Sequence, residues 1–207
     1  LGAIVHTFAK DNNGALTEGI AFDWPQILEP YYERGNLLLC PEASRPIYIP
    51  DEESIRGGKF NAWADQDNDR LYISSYGINQ YCSNDTGGGR IWDKLWRTIY
   101  AAGTSKVPLM LDCAMVGSAP VEFDVPPVYD GQIYLSNPSD VDEIRSFCLN
   151  RHNAAVNCVY LDLSVRKVGL KSLWVQKWHR QWSVPPDPLP SEWDNPQHWM
   201  YNFKNPE

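Results

Sequence analysis

Positive charge is scarce in this sequence. It sets 18 lysines and arginines against 26 acidic residues, for a net charge of −8, and has no basic run. Such a chain lacks the footprint that a phosphate backbone requires, so nucleic acid is excluded as an expected partner. Long apolar stretches are missing as well. Runs such as Leu37-Leu38-Leu39 and Val107 to Leu111 fall far below the ~20 residues that span a bilayer. Cys40, Cys82, Cys113, Cys148 and Cys158 include no CxxC pair and no close Cys/His spacing, which speaks against a zinc site. Cys113, Cys148 and Cys158 stand in apolar surroundings and read as small buried hydrophobes. No GxSxG or HExxH motif surrounds His152, His179 or His198, so a structural or surface role is the reading for each.

What remains is enough for a core: 207 residues, 43 % hydrophobic, with nine tryptophans and sixteen prolines. That mixture predicts short elements, many turns and an aromatic interior. Leu1, Ile4, Val5 and Phe8 share one helical face, and Asp11-Asn12-Asn13-Gly14 supplies a stop because Asn and Gly tolerate left-handed backbone. No capping residue precedes Leu1, so the helix is expected to be the tail of a longer one. Asp23-Trp24-Pro25 opens a short helix to about Tyr32. Residues 41–70 read as loop, Leu71 to Asn79 as a strand, Ile91 to Ala101 as a helix and Val107 to Cys113 as a buried strand. Ser139 to Asn150 is a candidate helix, and Val156 to Leu161 with Ser164 to Val168 a hairpin. From Leu170 the period is helical, through Leu173, Trp174 and Trp178. The expected class is α+β, a helix packed on an antiparallel sheet.

Three constellations could carry chemistry. Asp65, Asp67 and Asp69 alternate like the start of a calcium loop, but Arg70 takes the place of the required glycine and Tyr76 that of the glutamate. A solvated acidic loop is the plainer reading, with calcium the one cofactor left open. Trp63, Trp193 and Trp199 lie outside the helical stripes and could form a sugar- or cargo-stacking platform. Asp112 and Asp162 each follow an apolar strand, as catalytic carboxylates and ordinary turn residues both do. No reaction is specified by any of these.

One stretch is more specific. In Arg151-His152-Asn153, nine residues separate His152 from Asp162, and Ser164-Val165-Arg166, Leu173-Trp174 and Lys177-Trp178-His179-Arg180 follow. The pattern resembles the His-x9-Asp-Gly processing-associated motif of bacterial type II secretion pseudopilin-like proteins. LGAIVHTFAKDNNGALT, Trp24-Pro25 with Leu37 to Pro41, Ser75 to Asn79, and Trp193 with Trp199-Met200 resemble other segments of that family, in order along the chain. Leu163 stands where the motif has glycine, and Ala154-Ala155 where it often has Gly-Gly. A two-residue turn would strain Leu163 by ~1–2 kcal/mol, so the turn is either of another type or longer.

The resemblance implies a non-enzymatic structural subunit, with His152, Asn153, Asp162, Trp174, Trp178 and His179 as its motif residues. It implies a pilin-like head over 1–182, residues 1–13 ending the pilin helix, and an irregular tail over 183–207 docked on the head. A leader cut by prepilin peptidase and an apolar half-helix would precede Leu1. Partners would be other pseudopilin subunits and the secretion machinery, and the place the cell envelope, with membrane contact only through that N-terminal segment.

Overall fold

Helix α1 (Gly2–Asp11) buries Gly2, Val5 and Ala9, while Leu1, Ile4 and Phe8 pack half-buried against the same core. The helix lies so close to the following sheet that a Cβ on Gly2 would stand 2.5 Å from Val159 Cγ1. Its stop works as the sequence predicts: Asn13 (φ 56°) and Gly14 (φ 82°) are both left-handed. The chain then bridges Ala15 to Thr98. The computed structural model describes residues 1–17, 23–32, 36–46, 54–67, 70–84, 92–132, 143–183 and 189–206. Helix α2 (Trp24–Leu28) carries Pro25 in its first turn and continues as a 3-10 turn, Glu29–Tyr31. No helix among the described residues is long and apolar enough to cross a membrane.

The protein is α+β, with two mixed sheets. In the smaller, β3 (Asn61–Asp67) pairs in parallel with β1 (Arg45–Pro46) and antiparallel with β2 (Ser54–Ile55) and β4 (Arg70–Ser74). The larger has the order β7-β5-β6-β8-β9, formed by β5 (Tyr76–Asn79), β6 (Pro108–Asp112), β7 (Gly117–Ser118), β8 (Ala155–Tyr160) and β9 (Val165–Gly169). Its pairs are antiparallel except β5 with β7, so the expectation of one antiparallel sheet needs correction. The strand expected over 71–79 is two strands, because Ser75 leaves the first sheet and enters the second. There its N–H donates to Leu38 O at 2.9 Å.

Further expectations fail. The segment 41–70 contains β1, β2 and β3 rather than loop alone. Residues 92–101 form only a 3-10 turn, Trp92–Lys94, because Trp96 and Ile99 spend their N–H groups on Tyr81 O and Gly14 O. Glu143–Ser146 and Lys171–Val175 are likewise 3-10, and the start of the expected helix at 139 lies outside the described residues. Strand β6 is buried throughout, as its apolar run requires. Its last residue, Asp112, is carried inside with it.

The β8–β9 turn takes the longer of the two alternatives. Val159 pairs with Val165, the Tyr160 N–H donates to Ser164 O, and the Leu163 N–H donates to Tyr160 O. A turn over Leu161-Asp162 is thus followed by one left-handed residue, Leu163 (φ 68°). Asn153 (φ 56°) and Ala154 (φ 59°) are left-handed too, so Leu163 and Ala154 occupy the backbone that the resembled motif gives to glycine. After Leu189 the chain packs back on the core: Trp193 meets Trp174 edge-on at 5.1 Å, Met200 is fully buried, and Trp199 Nε1 donates to Pro127 O at 2.6 Å.

Candidate functional site

The polar centre of the molecule forms where Asp112 ends β6. Three chain segments reach it. The turn Cys40–Ala43 brings Cys40, fully buried, and is pinned by the Ser75 hydroxyl donating to Ala43 O. The left-handed corner at 153–154 brings Arg151 and His152, and β8 brings Asn157. Arg151 is an anchor. Its guanidinium donates to Gly58 O at 2.7 Å, to Asn61 O and Cys113 O at 3.1 Å and to Ser75 O, and stands 3.4 Å from Asp112 Oδ1. The pair is fully buried, and the carbonyls around the guanidinium satisfy what the carboxylate does not.

Asp112 Oδ2 accepts the Asn157 backbone N–H at 2.7 Å and lies 3.2 Å from His152 Nε2. The same Nε2 is 3.5 Å from Cys40 Sγ and 3.0 Å from Asn157 Nδ2. Burial pushes the Cys40 thiol up from its ordinary value, the Asp112 carboxylate adds to this, and Arg151 opposes it. The thiol is therefore protonated at neutral pH and is no ready nucleophile. Burial and Asp112 also push the Tyr76 phenol up to about 12. A nucleophile–base–acid relay places thiol and carboxylate on opposite ring nitrogens. Here both face Nε2, so the geometry is not that of a relay.

The remaining candidates are dispersed. Asp162 lies beyond the far end of β8 from His152, six strand residues or roughly 20 Å away, and its Oδ1 accepts the Ser164 N–H and hydroxyl. The two residues that define the motif spacing do not form one site. Asn153 shapes the corner through its backbone. Trp174 and Trp178 are buried, donating to Asp124 O and Leu173 O, and His179 is buried beside them in sequence. Asp65 and Asp67 belong to β3, paired with Tyr72 and Arg70, so they build a hairpin rather than a calcium loop; Asp69 lies outside the described residues. Trp63 and Trp193 are core residues at 1 % and 3 % exposure, which leaves half-buried Trp199 alone of the expected stacking platform. Trp63 and Asp65 do share a cavity of about 160 Å³ with Arg56 and Met115. It is smaller than the ~300 Å³ at which small-molecule pockets begin.

Compared with protein-family models, curated proteins and solved structures, the chain matches none. Sequence reasoning named His152 and, separately, Asp112 and Cys40, but did not bring them together. Asp112 is 40 positions away and Cys40 is 112, so no local spacing could reveal them. The usable signal was a carboxylate closing a strand buried end to end.

Proposed function

We propose that the chain is a non-enzymatic, pseudopilin-like structural subunit of a type II secretion or type IV pilus-like assembly, with a pilin-like head. The observation that carries this reading is the seating of α1, whose Gly2 touches β8 and whose Val5 and Ala9 enter the core. A ten-residue helix is marginal on its own and is held here by packing. That is the joint a filament rod needs if it is to pass force to a head. All five cysteines are buried and free.

Its partners are then other pseudopilin subunits, the secretion machinery, and a prepilin peptidase acting upstream of Leu1. The test is the N-terminus of the gene product isolated from its native cells. Mass spectrometry is expected to find a cleaved, methylated residue opening an apolar stretch of about 20 residues ahead of Leu1. A product cut at an ordinary secretory signal, or starting in a hydrophilic segment, overturns the reading.

A further inference from the structure

Nε2 of His152 is contested. A ring nitrogen offers in its plane one hydrogen or one lone pair, not both. Three polar atoms nevertheless converge on it: Asn157 Nδ2 at 3.0 Å, Asp112 Oδ2 at 3.2 Å and Cys40 Sγ at 3.5 Å. A hydrogen on Nε2 suits the carboxylate and opposes the amide N–H. A lone pair suits the amide and opposes the carboxylate. Turning the Asn157 amide so that its oxygen faces inward answers the amide, and a cation shared by the carboxylate, the thiol and the ring lone pair satisfies all three at once.

We propose that Cys40, Asp112 and His152 bind a divalent transition metal, zinc being the ion that this mixed sulfur, oxygen and nitrogen set favours. Zinc bonds of about 2.3 Å to sulfur and about 2.0 Å to nitrogen and oxygen, at tetrahedral angles, set S and N about 3.5 Å apart and N and O about 3.3 Å apart. The separations here are 3.5 and 3.2 Å, and all three ligand atoms lie within 4.8 Å of one another. Calcium and magnesium, which take oxygen ligands, do not suit a thiol and an imidazole. The surrounding groups already aim the carboxylate: Arg151 holds Oδ1 and the Asn157 N–H holds Oδ2. Binding ionises Cys40, and the Sγ proton leaves to solvent as the S–metal bond forms. The approach is from the His152 side, because that side chain is 18 % exposed while Asp112 is closed. The fourth position falls to Asn157 Oδ1 or a water. The metal ties the 40–43 turn, the end of β6 and the 151–154 corner together. The inference is independent of the pilin-like reading.

The experiment is titration of the full chain, stripped with a chelator, with Co²⁺ and with Zn²⁺. One Co²⁺ per chain with a thiolate-to-cobalt charge-transfer band is expected, displaced by one Zn²⁺. Cys40→Ser and His152→Gln should abolish the band or weaken binding more than about 100-fold, beyond the effect of losing an outer-shell partner. Cys158→Ser, a buried cysteine elsewhere, should leave it unchanged. No saturable uptake, no thiolate band, or full uptake by the Cys40 and His152 variants overturns the proposal. Should Cys40→Ser fail to fold, alkylation of the native protein with peptide mapping takes its place. Zinc must then slow Cys40 labelling selectively, and unchanged labelling overturns the site.

Discussion

Two histidines of this protein, one half-buried and one fully buried, live in opposite surroundings. His152 meets a carboxylate, an amide and a thiol at one nitrogen. His179, fully buried, is caged by Tyr81 at 4.8 Å and Trp182 at 5.2 Å, and neither of its ring nitrogens makes a hydrogen bond among the described residues. Glu122 Oε1 lies 3.3 Å from Nε2. Burial pulls the His179 pKa down to about 4; Lys94 and Lys177 act in the same direction, and Glu122 opposes them. The lesson is that burial alone does not define a site. At His152 the fold gathers polar partners around a buried carboxylate, whereas at His179 burial between aromatic rings outweighs the nearby Glu122.

The contrast can be broken most forcefully at its charged end. Arg151→Met removes the cation from a buried carboxylate and leaves several carbonyls unserved, and should cost about 3–5 kcal/mol in urea unfolding. Adding Asp112→Asn should recover part of the loss, because the uncompensated charge goes with it. Next comes acidity. The unfolded His179 takes up its proton near pH 6.5, whereas the folded one resists until about pH 4. Between those values the unfolded state holds the extra proton, so stability falls as pH falls, by on the order of 3 kcal/mol. His179→Phe should flatten that part of the urea-midpoint profile and leave metal uptake at His152 intact. The smallest effect concerns the corner that presents His152. Ala154→Gly relieves a left-handed alanine at φ 59° and should raise stability by about 0.5–1 kcal/mol, read as a rise in thermal midpoint.

Legibility in the sequence followed how locally each residue's burial was decided. Strand β6, the β8–β9 hairpin and α1 with its Asn-Gly stop each carry their signal within a dozen residues, and each forms near the expected place. Strand β3 reads NAWADQD, where Ala62, Trp63 and Ala64 are buried in succession, so no two-residue alternation was there to detect. The spacing of Leu95, Trp96 and Ile99 looked helical because all three are buried, yet partners on other segments bury them along an irregular path. The polar centre was half legible. His152 and Asn153 stood out by motif, whereas Cys40 and Asp112 become their neighbours only through the crossing of the chain at Ser75 and the depth of β6.

The reach of Arg151 has a mechanical consequence. One guanidinium grips Asn61 in the smaller sheet and Cys113 just past β6 in the larger, so neither layer can peel away without releasing the other. Opening of the two should be a single cooperative event. Amide protons in β3, on the thinner layer, should then exchange with solvent at a free energy close to that of β6, instead of fraying ahead of it.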